Sequence, residues 1–236
     1  MAKILPLRRL IIVPGHGVYL GTSKGHSKNP SFWQAAFPEE CRQYVEHIAV
    51  GIQQAAAHPD AVLIFSGGCT QPATPLSEAQ GYFHIVQQQH WFGFPEVQQR
   101  LAIEEYARDS FENISFSLLL FWQRTKFLPQ QVTVCGWGFK AERYRFHAQT
   151  LGFPLQKFQY REVNNPLGDR SDAQSLWGIA LHGELQALAL FRKYPFGDQG
   201  ELLLKRQQRD PFQRGSPYDD SLQRFFPLTK EKKLIS

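Results

Sequence analysis

Short apolar runs recur along the first two thirds of the chain, each broken by glycine or polar residues and most followed by a stretch of helical periodicity. Leu10-Ile11-Ile12-Val13 is apolar on every side, which predicts a buried parallel strand, and it stops at Pro14-Gly15-His16-Gly17. Residues 18–37 carry Gly, Ser, Lys, Asn and Pro, and are predicted to form a long loop, a lid or a disordered segment. From Glu39 the pattern turns helical, with Val45, Ile48, Ala49, Ile52, Ala55 and Ala56 on one face and His58-Pro59 as the stop. Ala61 to Phe65 repeats the buried-strand pattern and ends at Ser66-Gly67-Gly68. Thr74 followed by Pro75 predicts a helix start, with the helix running to about His90.

Leu101 to Glu104 reads as a weaker strand. Asp109 and Glu112 have capping-box spacing, before a helix that places Phe111, Ile114, Leu118, Phe121 and Trp122 inward. Val132 to Cys135 is the next strand, broken by Gly136-Trp137-Gly138. A helix from Lys140 to Thr150 and a strand from Leu155 to Tyr160 follow. The stretch from Asp172 to Lys193 is apolar nearly all round and predicts a well-buried helix.

Strands alternating with helices predict an α/β fold: a Rossmann-like three-layer domain, with a mainly parallel sheet and helices on both faces. Right-handed crossovers then bring every strand-to-helix turn to one edge of the sheet, where ligands of open α/β sheets bind. The domain is expected over residues 1–195, with 196–236 a polar C-terminal tail packing on or near it.

Composition narrows the function only slightly. The formal charge is +5, from 26 basic against 21 acidic residues, with signs interspersed. Nucleic-acid binding usually shows a basic stripe or tail, so no nucleic-acid partner is predicted. The excess suits mild steering toward an anionic ligand. Three scattered cysteines indicate neither a disulfide framework nor a zinc site. The apolar stretch after Arg8-Arg9 is too short for a signal-peptide core or a membrane span, and a cytoplasmic protein is predicted.

Four turns carry candidate chemistry. Gly15-His16-Gly17 lacks the third glycine of a dinucleotide fingerprint, because Leu20 stands there; it is either a tight turn or a place where backbone amides approach a ligand. Ser66-Gly67-Gly68-Cys69 precedes Ser77-Glu78, and a helix start there would favour an anion, with Glu78 either complementing the helix dipole or meeting a hydroxyl, an amine or a metal. Arg108, Asp109, Ser110 and Asn113 form a dense polar cluster, of which only Asp109, with Glu112, is explained by capping. Lys140, Arg143 and His147 share one helix face beside Trp137, as a solvated basic face or as a cationic wall. His16, Glu78 and Asp109 are the acid/base candidates. No carboxylate or histidine set has ligand spacing, so no metal is predicted.

Val13-Pro-Gly-His-Gly, Ser66-Gly-Gly with Ser77-Glu-Ala, Arg108-Asp-Ser-Phe-Glu-Asn and Phe139-Lys-Ala-Glu-Arg143 together resemble the YdcF-like family, which includes SanA and ElyC. The resemblance covers about residues 10–160, in order; the tail around Arg209-Asp-Pro-Phe and Pro217-Tyr218 resembles a soluble branch. It implies a Rossmann-like fold with a pocket at these turns, and S-adenosylmethionine as a candidate cofactor, since one bacterial relative is associated with binding it. Membrane-anchored members are linked to envelope integrity, but this chain shows no anchor helix. Ser110 stands where the motif commonly has threonine, and Phe139-Lys140 where many relatives carry a histidine, so that histidine's role does not transfer.

Three functions are then open. The first is binding of a small anionic or nucleotide-like molecule, with Gly15, His16, Gly17, Ser66, Gly67, Gly68, Glu78, Arg108, Asp109, Ser110, Asn113, Trp137, Lys140 and Arg143 at the site and Gly21 to Pro30 as a lid. The second is a hydrolase or transferase acting on phosphorylated or glycan-lipid intermediates. The third is a non-catalytic interaction module using the aromatic surface and tail.

Overall fold

The computed structural model describes residues 6–218. Its centre is a five-stranded, all-parallel sheet of β1 (Arg9–Pro14), β4 (Ala61–Ser66), β5 (Leu101–Glu104), β6 (Gln131–Trp137) and β7 (Phe158–Asn164), in the order β5-β4-β1-β6-β7. Two more strands, β2 (Gly17–Tyr19) and β3 (Trp33–Ala35), form a separate antiparallel pair.

Alternation along the strands builds the three layers. Leu10 and Ile12 of β1 point into one core, with helices α3 (Ser110–Thr125) and α4 (Ala141–Thr150). Ile11 and Val13 point into the other, with helices α1 (Cys41–Ala57) and α2 (Glu78–Gln88). The apolar runs read as buried on every side because helices cover both faces. Ile12 pairs with Ile64 on one side and Val134 on the other, so β1 is central. The chain leaves β1 toward β4 and β5, then returns across the sheet to β6. The gap between the β1 and β6 ends is therefore the switch point where such folds bind ligands.

Several expectations are corrected. Residues 18–37 are structured: Tyr19 and Trp33 are core residues, and the Trp33 indole N–H donates to the Ser27 carbonyl at 3.0 Å. The α2 cap is Ser77, not Thr74, because Gln80 three residues on completes a reciprocal capping box. Strand β7 starts at Phe158 and reaches Asn164, following a β6 that continues through Trp137. Helix α5 (Leu176–Lys193) starts later than expected, capped by Ser175, and is not enclosed. Ile179 and Leu185 are 46% and 59% exposed, because α5 lies across the ends of the strands rather than inside a layer.

Within the tail, helix α6 (Gly200–Gln208) packs Leu202 on the core, and Tyr218 reaches the same cluster. Residues 219–236 lie outside the described part. No helix among the described residues is long and apolar enough to cross a membrane.

Candidate functional site

A cavity of about 490 Å³, within the usual range for small-molecule sites, opens at the switch point. One wall consists of the strand ends and the turns after them; the other consists of α5 and the end of α6. Of the residues anticipated at the site, Gly15, His16, Glu78, Arg108, Asp109, Ser110, Asn113, Trp137, Lys140 and Arg143 line it. Gly17, Ser66, Gly67 and Gly68 do not. The right-handed βαβ crossovers bring together residues more than a hundred positions apart.

The glycines have a different reason from the one anticipated. The Gly15 N–H donates to the Ser66 carbonyl at 2.8 Å, that of Gly67 to Glu104 at 2.9 Å, and that of Gly68 to Ala107 at 2.7 Å. These amides are engaged within the fold, which corrects their assignment as ligand donors. What Gly15 and Gly67 provide is space. A Cβ at Gly15 would lie 2.3 Å from Glu78 Oε2, and one at Gly67 would lie 2.7 Å from it. The two turns are hollowed to admit one carboxylate. Gly17 is closed off by pairing with Ala35. The segment from Gly21 to Pro30 is also corrected, because it does not line the cavity. His26 stacks on Phe32, and Gln88 of α2 and Gln89 just after it donate to the Gly21 and Lys24 carbonyls.

Glu78 accepts a bond from the Thr70 hydroxyl at 2.7 Å, and burial pushes its carboxyl above the usual range. The His16 Nε2 is buried without a partner, and burial followed by the Lys140 charge holds its ring well below the ordinary histidine value, hence neutral. Tyr44, His47 and Trp137 surround the ring at centroid distances of 5.5, 5.2 and 5.9 Å. His47 is buried, bonded to Asn164 Oδ1 at 2.7 Å and pushed down to about 3 by burial.

The cations divide into two groups. Arg143 makes a two-pronged pair with Glu184 of α5, at 2.6 and 2.9 Å. Arg108 does the same with Glu112 at 2.6 and 2.9 Å, so the Glu112 carboxylate holds Arg108 rather than returning to cap Asp109. Lys140, by contrast, makes no ion pair among the described residues. It rests over the Phe139 ring, and burial with the nearby Arg143 charge pushes it down to about 7. Lys205 and Arg209 of the tail also line the cavity, with Arg209 donating to the Arg108 carbonyl at 2.9 Å.

Asp109 is corrected as an acid/base candidate. It caps α3 through the Glu112 N–H and binds the Arg206 Nε at 2.5 Å. Burial would raise its carboxyl, but Arg206 overrides this and holds it below the usual range. Of the two readings of Lys140, Arg143 and His147, the solvated face is not what the fold builds: Lys140 and Arg143 are half-buried on the cavity wall, and His147 is fully enclosed. Cys69 is buried and receives an N–H from Arg214 at 2.7 Å, and burial raises its thiol.

Sequence reasoning missed Tyr44 and Glu40 of the α1 region, Glu184 of α5, Lys205 of α6 and Arg209 just after it. One signal was present for Glu184: it is the sole acid in an apolar helix, at a position where an unpaired charge would be costly.

Fold and cavity together define a three-layer α/β protein with a Rossmann-like parallel sheet and a small-molecule-sized site at its switch point. The chain is 25% identical to the uncharacterized protein YOR238W of Saccharomyces cerevisiae over 263 aligned positions, covering 90% of this chain and 87% of that protein. No family model and no solved structure matches.

Proposed function

We propose that this protein binds a small anionic molecule of nucleotide or S-adenosylmethionine type in the switch-point cavity. The observation that carries the reading is Lys140: a half-buried lysine lining the cavity, beside an arginine already neutralised by Glu184, with no ion pair of its own among the described residues. An unpaired cation held partly out of water is costly unless something anionic visits it. Phe37, Tyr44 and Trp137 offer flat surfaces for a base, and Glu78 suits a hydroxyl or amine. The resemblance to the YdcF-like family makes S-adenosylmethionine the first ligand to try. Three buried, unpaired cysteines agree with a cytoplasmic setting.

The test is a thermal-shift panel of S-adenosylmethionine, nucleotides and sugar phosphates on the wild type and Lys140→Met. A ligand at a hundred times its dissociation constant should add roughly 2.7 kcal/mol. The expected hit disappears in Lys140→Met. A hit of equal size in both proteins removes Lys140 from the site.

A second reading, hydrolysis or group transfer on a phosphorylated substrate, is favoured by Glu78. It accepts the Thr70 hydroxyl, and burial raises its carboxyl, which favours the protonated form that a general acid needs. Glu78→Gln should then abolish turnover of a phosphoester while leaving binding intact.

A further inference from the structure

We propose that Ser110 is a nucleophile, with His147 as its base, and that it accepts a phosphoryl group from the ligand bound in the cavity. Ser110 is the first residue of α3 and lines the cavity. Its Oγ lies 2.8 Å from His147 Nε2 and accepts an N–H from Arg143 at 2.9 Å. A serine oxygen has one proton and two lone pairs. With the proton directed to Nε2 and one lone pair on Arg143, the other lone pair is left for an electrophile in the cavity.

His147 is a costly choice for packing alone. It is fully buried, with Phe111 and Phe191 at centroid distances of 5.7 and 4.4 Å, and its Nδ1 has no partner. A phenylalanine there would pack without an orphaned nitrogen. What histidine adds is an acceptor for the Ser110 proton. Arg143 is fixed by Glu184, so it holds Oγ in place and stabilises charge developing on it.

In the forward step, Ser110 Oγ forms a bond to phosphorus and the bond from phosphorus to the leaving oxygen breaks. The serine proton moves to His147 Nε2 and then to the leaving group. Water next attacks the phosphoserine, the P–Oγ bond breaks, and His147 relays the water proton back to Oγ. Phosphate and free serine result. The choice of phosphoryl over acyl transfer rests on the anionic-ligand reading above; the nucleophile itself does not.

Treatment with a fluorophosphonate tests the nucleophile without its natural substrate, since Oγ displaces fluoride from phosphorus. Intact mass and peptide mapping should show one adduct, on Ser110, absent in Ser110→Ala. His147→Gln should slow labelling at least tenfold at an unchanged melting temperature. If that variant does not fold, Ser110→Cys, which keeps His147, should be alkylated by iodoacetamide faster than free cysteine at pH 7; an equal or slower rate overturns the pairing. No adduct on folded wild type, under conditions that label a known serine hydrolase, overturns the proposal. So does labelling that is indifferent to His147. If such an unlabelled sample still gives a ligand-induced thermal shift, the binding function stands and only the nucleophile falls.

Discussion

Two buried polar clusters sit side by side at the ends of the parallel strands, and they are built on opposite terms. At the β4–β5 side, Glu104 accepts N–H bonds from Tyr106 at 2.7 Å and Ala107 at 3.3 Å. Ser66 Oγ lies 2.7 Å from Glu104 Oε2 and 2.9 Å from Asn113 Oδ1. One hydroxyl proton cannot serve both, so both contacts are satisfied when Glu104 keeps a proton and donates it to Ser66, and burial pushes its carboxyl up to about 7. Beside it, Asp109, Glu112, Arg108 and Arg206 pair off completely. At the β1–β6 side, His16 Nε2 has no partner, Glu78 has one hydroxyl donor and Lys140 has no counter-charge among the described residues. A closed network rigidifies a fold, whereas an incomplete one carries a cost, and on the proposed reading a ligand offsets it.

The comparison breaks most visibly if the closed side is opened. Arg206 has a tenth of its side chain exposed and holds two buried carboxylates, Asp109 and Glu112. Arg206→Met should leave buried Asp109 without its partner and Glu112 with Arg108 alone, and should cost about 3–5 kcal/mol, measured by urea unfolding. It should also free α6, which carries Lys205 and Arg209 into the cavity wall. A loss below about 1 kcal/mol would mean that this network is no more than a surface array.

Glu104→Gln probes the same side through pH. The folded carboxyl titrates near 7, against an ordinary 4.5. Since the folded value is raised, the native state holds the proton more tightly than the unfolded chain. The stability it gives is complete below pH 4.5 and is lost as pH rises toward 7, by roughly 3 kcal/mol. In Glu104→Gln this fall should vanish, so the variant loses less stability than the wild type between pH 4.5 and 7. Parallel slopes would place the proton elsewhere in the network.

The sequence made one half of this contrast readable. Apolar runs bounded by glycine mark β1, β4 and β6 because a strand covered on both faces has no polar position to spare. Once the strands are placed, crossover handedness puts His16, Glu78, Ser110 and Lys140 at one edge. The other half depends on partners from distant positions. Nothing near Arg143 in the chain announces Glu184, and nothing near Asp109 announces Arg206, 97 residues away. Without those partners, Arg143 and Lys140 look alike, and only the fold separates a neutralised cation from one with no ion pair among the described residues. The packing role of Gly15 and Gly67 is hidden for the same reason: the side chain they make room for belongs to a helix beyond both turns.

On the incomplete side, Lys140→Met should be the gentlest change to the fold and the most damaging to binding. It removes a cation that makes no ion pair among the described residues, so stability at pH 7 should hold or rise by up to about 1 kcal/mol. Binding of an anion should weaken at least tenfold, about 1.4 kcal/mol. The pH profile separates charge from shape. Burial and Arg143 bring Lys140 down to about 7, so below that value the ammonium is already formed and an anion binds without taking up a proton. Above it, binding must recruit a proton, and wild-type affinity should fall by as much as about tenfold per pH unit. Calorimetry between pH 6.5 and 9, with a ligand whose own charge is constant there, should show that decline in the wild type and a flat profile in Lys140→Met. A decline of the same slope in both would assign the titration to another group on the cavity wall and make Lys140 part of the closed side after all.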